Sequence, residues 1–174
     1  MAIISAKDQL VALFNAKNPN LAIPLTSADI DFGAVSAVTP STNYPHTARI
    51  TITAKTASPN FQGEKTLYYY RLPASVLVGA KNLSANQADW DTDEEVLAKF
   101  NAHVIEVGRT EDEFALSELT ITRETGEDGK EIITVTIKAG HIKYIEGVAA
   151  VYTITNDSRV DLATTNGELD GYNI

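Results

Sequence analysis

The sequence predicts an α+β fold of two similar small modules, each a helix packed on a small antiparallel β-sheet. Three observations predict it. One order of elements occurs twice, each copy opens on a capped helix ending in Phe-Asn-Ala, and each contains a run in which apolar and polar residues alternate. The modules are placed at residues 1–85 and 90–174, the second more diverged and carrying a C-terminal tail.

The helices come first. Asp8-Gln9-Leu10-Val11-Ala12-Leu13-Phe14-Asn15-Ala16 matches Glu94-Glu95-Val96-Leu97-Ala98-Lys99-Phe100-Asn101-Ala102. Ser5 stands three residues before Asp8 and Thr92 three before Glu95. In each pair a hydroxyl and a carboxylate can satisfy the first backbone amides of the helix reciprocally. A short second helical turn follows in both halves, Thr26 to Phe32 and Ala115 to Ile121.

The alternating strands come next. Ala48, Ile50, Ile52 and Ala54 interleave with threonines and charged residues, as do Ile133, Val135 and Ile137, so each strand buries one face. One offset pairs Ile50 with Ile133, Thr51 with Thr134, Thr53 with Thr136 and Lys55 with Lys138. Phe61-Gln62-Gly63 then matches Tyr144-Ile145-Glu146-Gly147 with one residue inserted. The run Thr66 to Leu72 is set against the strand Ala150 to Ile154.

Between the halves, Gly79 to Asp91 reads as a polar linker. Asp128-Gly129 supports the positive φ angles of a hairpin turn. The tail, Thr164 to Ile174, is expected to order on a neighbouring subunit. The expected core is Leu10, Leu13, Phe14, Ile50, Ile52 and Leu67, with Val96, Phe100, Ile133, Val135 and Val151.

Composition narrows the function. There is no cysteine, which excludes disulfides, thiolate catalysis and sulfur-ligated metals. A net charge of −9 without a basic patch argues against nucleic acid. No run approaches the roughly 20 apolar residues of a membrane span, and the start lacks a secretory signal. No cofactor, metal or catalytic residue is assigned. Asp89 to Glu95 has the alternating acids of a calcium loop, but Glu94 and Phe100 stand where glycine and glutamate are needed. The segment reads instead as an acidic helix start. His46, His103 and His141 form no ligand pair, and no nucleophile motif occurs.

The most pointed local feature is Tyr68-Tyr69-Tyr70-Arg71. On a strand its members alternate between two faces, one filling a core and one available for contact. Tyr69, Arg71 and, in the tail, Tyr172 are the candidate interface residues. An aromatic face of this kind also suits sugar stacking, which leaves a carbohydrate-binding or receptor-contacting module as the alternative. A small hydrolase with acids far apart in sequence is the third reading.

Leu10 to Asn15, Leu25 to Phe32, Thr47 to Lys55 and Ser58 to Leu72 resemble a repeated module of virion structural proteins of large tailed bacteriophages. The likeness consists of a helix ending near Phe-Asn, a Leu-Thr-x-x-Asp-Ile segment, a Thr-rich strand, an aromatic-x-Gly and a Tyr-Tyr-Arg-Leu run. It covers most of the first half. The second half departs at Thr153 to Asn156, where Tyr-Tyr-Arg-Leu would fall. The resemblance implies a non-catalytic virion component (tail, baseplate or head surface) made in the host cytoplasm. Its implied partners are other virion proteins and itself, with no nucleic acid and no membrane.

Overall fold

Residues 3–40, 45–157 and 159 are described by the structure, a computed structural model. Helix α1 (Ala6–Lys17) is followed by strands β1 (Ile30–Phe32), β2 (Ser36–Ala37), β3 (Ala48–Ala54), β4 (Glu64–Tyr69), β5 (Leu72–Pro73) and β6 (Gly79–Ala85). Helix α2 (Asp93–Glu106) then leads to β7 (Leu119–Thr125), β8 (Glu131–Ile137), β9 (Tyr144–Ile145) and β10 (Gly147–Asn156).

In the first sheet β3 is central, with β1 and β2 antiparallel along one edge and β4 antiparallel along the other. The second sheet has the order β6-β10-β8-β7. It is mixed, because β6 lies parallel to β10 while the other pairs are antiparallel. The expectation of purely antiparallel sheets is thereby corrected. A parallel neighbour needs a crossover, and the chain from β6 through α2, β7 and β8 supplies one. A parallel β5–β9 pair joins the halves.

Gly79 to Asp91 is therefore no linker. Its residues alternate, with Lys81, Leu83 and Ala85 half-buried and Ala80, Asn82 and Ser84 exposed, which is the pattern of a strand on a covered face. A 3-10 turn, Gln87–Trp90, then buries Trp90. The two expected second helical turns are shorter than read, a turn before β1 and a 3-10 turn, Leu116–Glu118, before β7; their latter parts are strand.

The larger core lies under the second sheet, where Val96, Phe100, Val104, Ile133, Val135, Ile137, Tyr144, Tyr152 and Ile154 are all but inaccessible. The smaller one gathers Val11, Leu25, Ile30 and Ile52, with Phe14, Phe61 and Leu67 half-buried around it. Of the expected core, Leu10, Ile50 and Ile52 are also buried. Leu13 is not: it is 63% exposed, on a helix face that nothing described in the first half covers. Val151 is only half-buried, with Tyr152 facing inward instead. A bulge between Val148 and Ala150 shifts β10 by one residue against β8 and moves the inward face.

Capping of α2 follows the expected box in full, with Glu95 N donating to Thr92 Oγ1 at 3.3 Å and Thr92 N donating to Glu95 Oε2 at 2.9 Å. At α1 only one arm forms. Asp8 N donates to Ser5 Oγ, but the Asp8 carboxylate takes the Ser5 hydroxyl at 2.6 Å. In the β7–β8 loop Asp128 and Gly129 have φ of 58° and 70°, the left-handed conformation that this turn requires.

Candidate functional site

Two places in the molecule hold side chains worth testing for function. The first is a buried polar cluster between the halves. Asp112, 6% exposed, accepts from Gln9 Nε2 at 3.0 Å, Lys143 Nζ at 2.6 Å and Tyr144 OH at 2.5 Å. Lys143 Nζ also donates to Gln9 Oε1 at 2.7 Å, and Gln9 Nε2 to Ile4 O at 2.8 Å. Burial pushes the Asp112 carboxyl up, but its bonds to Gln9, Lys143 and Tyr144 together outweigh that and hold it below its ordinary value. Burial first, and then Asp112 itself, push the Tyr144 phenol far above its usual range.

An acid–base role needs a group with capacity left for a substrate. Here the donors and the acceptor are spent on one another, so the cluster acts as a tie from α1 to β9. Beside it, a cleft of about 590 Å³ runs from Phe32–Val35 to Gly140–Ile142. Its charged groups are likewise engaged. Lys138 Nζ donates to Leu116 O and Ser117 O, Glu118 accepts from Ala115 N, and Lys7 lies over the Phe32 ring.

The second place is a groove of about 850 Å³ between α1 and β4. Leu10, Leu13 and Phe14 form its helix wall, and Lys65, Leu67 and Tyr69 belong to its strand wall. Tyr70 is 58% exposed at its mouth and stacks at 4.9 Å on His46. Lys17, Lys65 and His46 line it, and no carboxylate among the described residues does. Among the described residues, no strand pairs with the edge of β4 that faces away from β3.

The corresponding place in the second half, between α2 and β10, is filled. Strand β6 pairs along β10 from Ala150↔Gly79 to Asn156↔Ala85. Leu77 and Trp90, at either end of that segment, are buried on the core, and Leu83 packs against it. Trp90 stacks at 4.9 Å on Tyr152 and carries Lys99 Nζ 5.0 Å from its ring centre. Lys81 pairs with Glu106 of α2 at 2.9 Å. Leu13 occupies the step of α1 that Lys99 occupies in α2, one residue before the phenylalanine. The contrast is simple: one groove has a strand in it, and among the described residues the other has none.

The candidate interface residues sit at this groove or beyond it. Tyr69 lies on the inward face of β4 and is half-buried, and burial raises its phenol pKa against the pull of Arg71. Arg71 is half-buried at the joint, donating through Nη1 to His141 O and Tyr144 O. Tyr172 lies outside the described residues, as does the tail that carries it. Among the described residues, His46 Nδ1, Tyr69 OH and Arg71 Nε, all from this region, are buried without a hydrogen-bond partner. Of the acids of Asp89 to Glu95, Asp93, Glu94 and Glu95 lie in the first turn of α2, and Asp93 pairs with Arg123 at 2.7 Å. No cluster of metal-ligating side chains occurs among the described residues, and no helix among them is long and apolar enough to cross a membrane. Sequence reasoning missed the groove because Leu13 reads as core. The one available signal was the lysine that replaces it in the second helix.

No curated protein and no solved structure matches the chain. A family model described as a family of unknown function (DUF7941) matches residues 1–174, and the chain belongs to that family.

Proposed function

We propose that this chain is a non-catalytic assembly protein, a structural component of a bacteriophage virion made in the host cytoplasm, built from two related modules. Its partners are other virion proteins and further copies of itself. The observation that carries the assembly reading is the α1–β4 groove, along which no described strand pairs with the edge of β4. Exposed edges recruit strands, and apolar grooves recruit apolar side chains. The virion part of the reading comes from the resemblance of the helix, Thr-rich strand and Tyr-Tyr-Arg-Leu run to the phage modules.

Several matched details support the two-module reading. Asn15 donates to Leu25 O at 2.8 Å and accepts from Leu25 N at 2.9 Å, and Asn101 does the same to Phe114 at 3.0 and 2.9 Å. Phe32 pairs with Ile52 as Ile121 pairs with Val135. Lys55 N donates to Asp29 O and Lys138 N to Glu118 O, both at 2.9 Å.

A mass-spectrometric inventory of purified particles tests the proposal. The chain should be present in multiple copies, and its absence would overturn the virion reading. Deleting residues 164–174 should leave the monomer folded and impair incorporation. A second reading, glycan contact, draws on the exposed ring of Tyr70. Glycan-array binding that is lost on Tyr70→Ala would favour it.

A further inference from the structure

We infer that the open groove between α1 and β4 is the acceptor for the C-terminal segment of a second copy, laid parallel to β4, so that copies join head to tail. This deepens the assembly reading and rests on it. The template lies within the chain itself. Strand β6 is contributed by residues that follow β4 and β5, yet it completes the sheet of the next helix-plus-sheet unit by pairing parallel to β10. Each unit, on this rule, hands its last strand forward. The second unit has such a segment after β10, and no described strand fills the matching position of the first unit.

The sequence of that segment fits the role. Shifted by the same offset that relates Phe14 to Phe100, Asn82-Leu83-Ser84-Ala85 falls on Glu168-Leu169-Asp170-Gly171. Leu83 is the apolar residue that β6 turns toward the core. Transferring the β6–β10 register, with Ile154↔Leu83 as its guide, sets Leu169 beside Tyr69. Its side chain then enters the groove lined by Leu13 and Tyr69, where the Tyr69 hydroxyl lacks a partner. Charge agrees as well. Residues 160–174 contain Asp161, Glu168 and Asp170 and no lysine or arginine, and the groove presents Lys17 and Lys65 with no carboxylate among the described residues.

The donor is another copy because of the way the strands run. With β5 and β9 parallel at the joint, β4 runs into the joint and β10 runs out of it. A strand parallel to β4 begins at Glu64, and the segment leaves β10 at Asn156, so both lie at strand ends opposite the joint. A donor patch and a different acceptor patch make a heterologous contact, which propagates into rings or filaments.

Sedimentation velocity on the full chain tests this with two substitutions. Leu13→Glu spoils the acceptor by setting a carboxylate at an exposed position facing the acidic donor, and Leu169→Lys spoils the donor. The unaltered chain should show a concentration-dependent ladder of oligomers. Each variant alone should sediment as a monomer with unchanged circular dichroism. Their equimolar mixture should give a one-to-one dimer and nothing larger, because the intact donor of the Leu13 variant meets the intact acceptor of the Leu169 variant. A monomeric unaltered chain, a ladder that survives either substitution, or a mixture that stays monomeric would each overturn the inference. Particles that contain a chain monomeric in solution would sink this contact while leaving the virion reading in place.

Discussion

Tyr144 donates its hydroxyl to Asp112 at 2.5 Å, in a part of the protein where Asp112 is almost inaccessible to water. Lys143 and Gln9 complete the shell of the carboxylate, so residues from the N-terminal helix and from the second sheet are held on one acid. Because its pKa is lowered on folding, Asp112 contributes stability that is fully present above the unfolded value of about 3.9 and is lost as pH falls through the folded value. Asp112→Asn should flatten the acid limb of the stability profile below about pH 4. Asp112→Ala should cost about 3 kcal/mol, since Tyr144 and Lys143 lose their acceptor. Urea titrations across pH read both.

His141 sets a separate pH window. Its ring is 7% exposed, and Nδ1 accepts from the backbone amides of Lys143 at 3.1 Å and Tyr144 at 3.0 Å. Burial lowers its pKa despite the pull of Glu118 and Asp112. A histidine kept neutral on folding stabilises least at low pH, and its contribution falls as pH drops below the unfolded value of about 6.5 toward the lower folded one. Stability should therefore begin to decline below about pH 6.5, a decline to which His103, whose pKa burial also lowers, contributes, and His141→Gln should reduce it while leaving the lower Asp112 limb.

The two phenylalanines at matched helix positions should differ in cost. Phe100 is fully buried and stacks at 5.3 Å on Phe114, so Phe100→Ala should destabilise by about 3–5 kcal/mol. Phe14 lines the open groove half-buried, and Phe14→Ala should cost about half as much. Equal losses by chemical denaturation would show that the first half closes around Phe14 in solution.

The asparagine brackets should be worth more than surface polar contacts. Asn101→Ala strips partners from both backbone polar atoms of Phe114, and Asn15→Ala does so at Leu25. Each should lose roughly 2 kcal/mol, within the range for groups left unsatisfied on partial burial. Asn101→Asp should recover little, because a carboxylate cannot donate to Phe114 O. Thermal melts of the three variants decide this.

Much of the local structure was legible in the sequence because its causes are local. Ser5 and Thr92 start helices by accepting the first free amides, Asp128-Gly129 adopts the left-handed turn, and the alternation through Ile50 and Ile133 follows from the two-residue period of a strand. The order of helix, turn and alternating strand in each half was readable for the same reason. The tertiary structure decided what no local rule contains. Whether Leu13 is core depends on what covers its helix face, and that cover is the strand which β6 supplies to α2 and which nothing described supplies to α1. Gly79 to Ala85 looked like a linker because its polar residues dominate, yet parallel pairing with β10 across a long separation makes it a strand. The inward place of Tyr152, rather than Val151, came from one bulge, and a single inserted residue reverses the faces of a strand without changing its composition.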